Sequence, residues 1–435
     1  MEARSNGRAH HHAPLGRVHG IALYVGAVVG SGILLLPGLV AERAGPASLL
    51  AWGLMSVAIL PLALTMALLA ARYPGGGGVA TFARNAFGPT AGAATGWLFL
   101  LATPIGGPLA AWIGAAYAAA AFGLPPNAAV WLTAAILLVA FVSNLQGFKG
   151  TGGLQVAVVG GIVAVLLLAL LAALPHLDPQ RFVPFAPHGW IGIGQAMALT
   201  FWCFVGWETV THLSGGFRDP RGDLVPAVLW AAAIIGALYL GAALVTVGTG
   251  SYGPGKTEAG LVQVAQVALG PAAGWLIGAV ALFCATATVN AYAGAAAHLA
   301  RALAESGAAP RILARSLARR DVPIGGLLAL LAGWTAVFVL LAADPAAVRR
   351  LIALPTANYL ALYLLGAAAG IRLAERRAER ILAGTALATC ALALPFLGWS
   401  ALYPVAIVAG LFAVRRWLGP SARHRHRPPA AAFRR

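Results

Sequence analysis

Glu208 is the residue whose type and position most demand a chemical role. It sits in the run Thr200-Phe201-Trp202-Cys203-Phe204-Val205-Gly206-Trp207-Glu208-Thr209-Val210, directly after a glycine–tryptophan pair. Of the 12 acidic residues it is the one well inside an apolar run. The others (Glu2, Glu42, Asp178, Asp219, Asp223, Glu258, Glu305, Asp321, Asp344, Glu375 and Glu379) fall near the ends of such runs or between them. A carboxyl placed in hydrocarbon costs roughly 2.5–3.5 kcal/mol to insert, so a functional role is the default expectation. Glu208 is therefore expected to exchange a proton, or else to brace a broken helix as a hydrogen-bonded strut. His212, one turn further on, either shares that proton or is a hydrogen-bonded residue near the helix end.

A second constellation is made of backbone rather than side chains. Gly26, Gly30, Ser31 and Gly32, followed by Pro37-Gly38, interrupt the first apolar run. A Gly-Ser-Gly stretch has little helix propensity and no bulk. Non-helical backbone at membrane depth is tolerated only where it is buried in protein or lines a cavity. A break at residues 30–32 would expose the N–H groups and positive dipole end of the following half-helix, which suits a carboxylate. Gly26 and Gly30 also form a GxxxG pair that could instead be a packing seam. On the first run alone the two readings stand even, and the second interruption at Gly206 tips the balance towards a binding site.

The elements that must carry these residues follow from composition. Sixty per cent of the 435 residues are hydrophobic and nine per cent are charged, too few charges to cover a soluble domain of this size. Apolar runs of about 20 residues, enough to cross a bilayer, recur along the chain. In lipid they must be helices, and the short alternating segments of a membrane barrel are not found. Twelve spans are expected, near 20–41, 47–71, 88–122, 127–146, 151–174, 191–216, 224–249, 270–303, 323–342, 350–371, 380–397 and 399–417. The fold class is thus an all-α polytopic membrane protein. The interrupted spans are the first and the sixth, and matched interruptions in two halves point to inverted repeats with a midplane site. The expected division is a tail over 1–19, a first repeat over 20–174, a second over 191–371, two added helices over 380–417 and a basic tail over 418–435.

Charge distribution sets the orientation. Of the 29 lysines and arginines, the loops on one side hold only Arg43, Arg181, Lys256, Arg349 and Arg350. The remainder share the side of both termini, which the positive-inside rule makes cytoplasmic. This accounts for the formal net charge of +17 without nucleic acid. The tail Arg423-His424-Arg425-His426-Arg427 is expected to lie on anionic lipid rather than on nucleic acid. His10-His11-His12 reads as a solvated tail, and no small-residue cleavage site follows the first run. Cys203, Cys284 and Cys390 lie scattered in apolar runs, which fits neither a disulfide framework nor a zinc site. No cofactor is implied.

The stretch Gly26, Val29-Gly30-Ser31-Gly32-Ile33 and Pro37-Gly38 resembles the first-helix signature of the amino acid–polyamine–organocation superfamily. Phe201 to Glu208, continuing to Phe217-Arg218-Asp219-Pro220 and Pro226, resembles its sixth helix and following loop. Tyr73-Pro74 with Gly76-Gly77-Gly78, and Asn144, Gly147 and Lys149-Gly150, match its cytoplasmic loops. The resemblance spans residues 20 to about 417. Gly96-Trp97-Leu98-Phe99-Leu100 and Phe201–Gly206 are most similar to the bacterial branch that exports methionine and branched-chain amino acids.

The resemblance implies a LeuT-like arrangement of five plus five helices with two more at the C-terminus. Backbone amides at Gly30, Ser31, Gly32 and Ile33 would hold a substrate carboxylate, and carbonyls around Trp202, Cys203, Val205 and Gly206 its ammonium. Trp202 would gate the site and Glu208 would couple proton movement. Thr286 and Thr288 sit where sodium-dependent relatives place hydroxyl ligands, although helical threonines more often bond their own backbone. With no acid besides Glu208 to match a charged cargo, a neutral apolar amino acid fits better than arginine or a polyamine. The expected activity is proton-linked export across the bacterial inner membrane, with uptake or exchange as the alternative. An enzyme is disfavoured, since no HExxH, GxSxG or carboxylate pair occurs. A channel would need a continuous polar lining that these Ala- and Leu-rich spans lack. Nothing in the sequence fixes an oligomeric state.

Overall fold

The computed structural model describes residues 15–30, 32–125, 127–254, 256–257, 260–317 and 322–417. Ser31, the histidine run and the Arg423–Arg427 tail lie outside the described residues. The first run gives α1 (Arg17–Val28) and α2 (Gly32–Ala44), and the second gives α3 (Ser48–Ala58) and α4 (Leu60–Arg72). Next come α5 (Gly78–Phe87), α6 (Pro89–Ala121), α7 (Ala128–Asn144) and α8 (Phe148–Ala173). The sixth run gives α9 (Gly189–Cys203) and a 3-10 segment over Thr209–Gly216. Then follow α10 (Pro220–Thr249), α11 (Gly260–Leu269), α12 (Ala273–Glu305) and α13 (Ile324–Ala343). The described residues end with α14 (Ala347–Leu351), α15 (Ala353–Leu373), α16 (Arg377–Ala393) and α17 (Leu402–Trp417).

Among the described residues, seven helical stretches are long and apolar enough to cross a membrane. The pair formed by α16 and the start of α17, bent by 118° around Gly398, adds an eighth if counted as one span. No strand occurs there, only two isolated bridges. One of these matters for topology: Leu15, just before α1, pairs with Phe217, just after the 3-10 segment. At the opposite end, the carbonyl of Arg43 in α2 lies 2.8 Å from where a Cβ on Gly192 of α9 would stand. The first and sixth runs therefore lie side by side in opposite directions.

Helices α6 and α12, each 33 residues long, pair along much of their length at the centre. Small residues let them approach. A Cβ on Gly114 would overlap the side chain of Ala285 and lie 3.0 Å from the Ala281 carbonyl. In a membrane, where apolar burial gives no preference for protein over lipid, such close backbone packing supplies much of the association energy. Helix α6 continues through Pro104 and Pro108. The start of α10 is fixed by Asp219, whose side chain accepts a hydrogen bond from the Arg221 amide at 3.1 Å, with Pro220 in the first turn. That cap satisfies a backbone donor the helix cannot.

Two short helices did not show in the sequence as separate elements. Helix α5 buries Val79, Phe82, Ala83 and Ala86 beside α6. Helix α11 packs on α8 and α12. At the far end of α4, Arg72 donates to the Leu373 carbonyl at 2.7 Å and pairs with Glu379 at 3.1 Å and Glu375 at 3.3 Å. It ties α4 to the corner between α15 and α16.

Candidate functional site

Both interrupted runs leave helix-end carbonyls without intrahelical donors, as any helix terminus must. Three are served by side chains from other helices. The Tyr239 hydroxyl of α10 lies 2.8 Å from the Val28 carbonyl at the end of α1. It is equally 2.8 Å from the Cys203 carbonyl at the end of α9. One phenolic group thus stands between the two broken ends. Thr288 of α12 donates to the Gly26 carbonyl at 2.9 Å.

The two breaks also touch directly. Gly206 has φ +137°, a conformation that side-chain-bearing residues rarely adopt. A Cβ there would lie 2.8 Å from Val28 Cγ2 and 3.0 Å from the Ala27 carbonyl group. Glycine is required on both counts. The Gly206 amide then faces Glu208 Oε2 at 3.1 Å and the Tyr363 hydroxyl at 3.0 Å.

Glu208 is fully buried in this turn. Its Oε1 accepts from the Tyr292 hydroxyl at 3.0 Å and the Thr209 hydroxyl at 3.3 Å. Its Oε2 accepts from the Gly206 amide and from the Tyr363 hydroxyl. Four donors from α12, α15 and the turn itself converge on one carboxyl, which matches the acceptor capacity of the group. These bonds tie the turn to α12 and α15.

Between the breaks lies a cavity of about 540 Å³, counting its open part. Its walls include Gly30 and Gly32, Trp202, Cys203 and Val205, Gly106, Gly107 and Ala110 of α6, Thr288 and Tyr292 of α12, and Tyr359 of α15. Among the described residues, no acidic or basic side chain lines it. Apolar walls with a few convergent polar groups are the usual make-up of small-molecule sites. Of the residues singled out in the sequence, Gly30, Gly32, Trp202, Cys203, Val205 and Thr288 meet at this cavity. Ile33 is buried beneath it without lining it, Gly206 packs behind it on Ala27 and Val28, and Ser31 lies outside the described residues. Glu208 stands off the cavity, hydrogen-bonded to Tyr292, which lines it.

The two threonines part company. Thr286 donates to the Leu282 carbonyl of its own helix at 2.7 Å, and only Thr288 reaches across to α1. His212 is buried against Phe99, with ring centroids 4.6 Å apart, and its Nδ1 lies 3.2 Å from the Gly76 carbonyl. It fastens the glycine loop before α5 to the 3-10 segment. The three cysteines are free and buried, and no cluster of potential metal ligands occurs among the described residues.

The sequence reading missed Tyr239, Tyr292, Tyr359 and Tyr363. The available signal was a phenol in the middle of an apolar run, since a buried tyrosine hydroxyl normally requires a partner.

A family model described as amino acid permease matches residues 15–415. The chain is 33% identical over 397 residues to the uncharacterized amino acid permease YecA of Bacillus subtilis (strain 168), covering 90% of this chain and 93% of that one. It is 31% identical over 402 residues to the L-methionine/branched-chain amino acid exporter YjeH of Escherichia coli (strain K12), covering 92% and 95%. The branched-chain amino acid permease BcaP of Bacillus subtilis (strain 168) is 27% identical over about half of each chain.

Proposed function

Since this chain belongs to the amino acid permease family of the amino acid–polyamine–organocation superfamily, we propose that it is a secondary transporter of small neutral apolar amino acids, of the methionine and branched-chain kind. It works by alternating access, coupled to protons through Glu208, and moves its cargo outward. It sits in the bacterial inner membrane with both termini cytoplasmic, as twelve spans made of a five-plus-five inverted repeat and two added helices. The antiparallel contact of the first and sixth runs supports the repeat.

The observation that carries the proposal is the uncharged cavity between two helix breaks whose backbone faces one another. The amides that open α2, at Gly32 and Ile33, hold the cargo's carboxylate by hydrogen bonds and dipole. The Trp202 carbonyl accepts from the Val205 amide at 3.3 Å and the Cys203 carbonyl from Tyr239. The Cys203 carbonyl keeps a second lone pair for the ammonium, whereas the Trp202 carbonyl already faces the Phe204 and Val205 amides. Trp202 closes over the cargo, and the Tyr292 hydroxyl, shared between cavity wall and Glu208, reports occupancy to the proton-carrying carboxyl. A lysine or polyamine head group would find no counter-charge, and an unpaired buried charge is costly. Outward direction is supported by similarity to the Escherichia coli exporter, with uptake or exchange as the alternative.

The test is flux in reconstituted vesicles for methionine, leucine, arginine and putrescine, with and without proton and sodium gradients. Methionine and leucine flux that responds to the proton gradient is expected. Preference for the cationic pair, or a strict need for sodium, would overturn the proposal.

A further inference from the structure

Tyr239 faces more acceptors than it has protons. Its hydroxyl oxygen lies 2.8 Å from the Val28 carbonyl oxygen and 2.8 Å from that of Cys203. A phenol carries a single O–H. A hydrogen bond weakens steeply once the angle at the proton falls below about 120°, so at any instant one of the two carbonyls is served well. The other then sits at contact distance from an oxygen that offers it no proton. The Cys203 side chain is a further neighbour of the same hydroxyl, but a thiol is only a weak donor and cannot settle the shortfall.

The phenol oxygen itself is held still. Tyr239 is fully buried, with the Trp52 ring 4.9 Å away and the Phe204 ring 5.2 Å away, centroid to centroid. A close-packed interior resists displacement of the ring. Turning the O–H about its C–O bond moves no heavy atom, so the proton is the mobile part of this junction. Val28 and Cys203 both line the central cavity, whereas Tyr239 stands behind them on α10. An occupant of the cavity meets these carbonyls from the front, and the phenol serves them from the back.

We propose that Tyr239 is a positioning residue whose hydroxyl proton is a switch between the two helix breaks. In the empty site the proton divides between both carbonyls. When the ammonium of a neutral amino acid takes the Cys203 carbonyl, the proton turns to Val28. This rests on the transport function proposed above. A charged donor on the Cys203 oxygen outcompetes the neutral phenol there, and Val28 offers the phenol a buried acceptor that is short of a partner. No covalent bond breaks. The cargo's amino group thereby completes the pairing of both breaks and fastens the end of α1 to α10, which an amino acid analogue without the amine does not do.

The test is solid-state NMR of the full-length protein in lipid, with cysteine labelled by 13C at the carbonyl. In Cys284→Ala/Cys390→Ala protein the label reports residue 203 alone. Adding Cys203→Ala and Val28→Cys moves it to residue 28. With 15N-methionine the residue-28 carbonyl should move downfield, as a carbonyl gaining a donor does, while the 15N nucleus dephases residue 203 more strongly than residue 28. Deaminated methionine should leave the residue-28 signal in place, and so should methionine in the Tyr239→Phe variant. A residue-28 signal that methionine does not move, or that moves equally with the deaminated analogue or in folded Tyr239→Phe, overturns the switch and leaves the transport function standing. Stronger dephasing at residue 28 than at residue 203 overturns it without need of that variant, because the cargo itself is then the donor. Wild-type protein that binds no neutral amino acid rejects the transport function and the switch with it.

Discussion

Gly206 and Val28 stand closer than any two side-chain-bearing residues would allow, with only the missing Cβ of Gly206 separating the turn after α9 from the end of α1. The two breaks are one structural object. A side chain at Gly206 would force the two breaks apart.

Gly206→Ala tests that contact. The added methyl meets Val28 Cγ2 at 2.8 Å and imposes a strained φ, which together cost about 1–3 kcal/mol. A lowered unfolding temperature in detergent and loss of most methionine flux are expected. An alanine variant as stable and active as wild type would show that the breaks can separate.

Gly32→Leu places a side chain where Cys203 Sγ would lie 2.7 Å from its Cβ, at the cavity wall. Binding of methionine should fall beyond detection while the protein stays folded by gel filtration. Wild-type affinity in this variant would return Gly26, Gly30 and Gly32 to the role of a packing seam.

Glu208→Gln keeps the shape of the turn but can no longer trade a proton. Methionine binding is expected to persist, whereas flux should lose its response to a pH gradient. Tyr292→Phe removes the donor that links Glu208 to the cavity. It should cut proton-driven flux roughly tenfold, as expected for losing one hydrogen bond to a charge-bearing group. Unchanged pH dependence in Glu208→Gln would leave the carboxyl as a strut alone.

Tyr239→Phe strips a donor from the Val28 and Cys203 carbonyls at once. Leaving buried acceptors unpaired costs about 1–3 kcal/mol, and the loss should appear as thermal destabilisation that bound methionine partly restores. A fully stable phenylalanine variant would mean that water serves both carbonyls instead.

The sequence made the interruptions legible because glycine clusters and a lone carboxyl are rare in apolar runs, and their meaning is local. Gly30, Gly32 and Glu208 could be named from spacing alone. The donors to Glu208 could not, since Tyr292 and Tyr363 are 84 and 155 residues away and become neighbours only when α12 and α15 pack around the turn. Helix α5 was hidden for a different reason: its ten residues are too short and mixed for a membrane run, and it opens at Gly78, whose φ of +46° and closeness to His212 leave no room for a side chain. Ile33 and Gly206 show the same limit at finer scale, because which side of a bent backbone faces the cavity depends on torsion angles that residue type does not report.

Arg72 has one further consequence. Its guanidinium faces three acceptors, Leu373, Glu375 and Glu379, and so has little freedom to follow one helix away from another. The C-terminal end of α4 and the α15–α16 corner are therefore tied together at one rim of the protein. Under the proposed alternating access, opening of the central chamber should leave this rim together, and a cysteine cross-link placed across the joint should leave turnover intact where the same link between α1 and α10 would stop it.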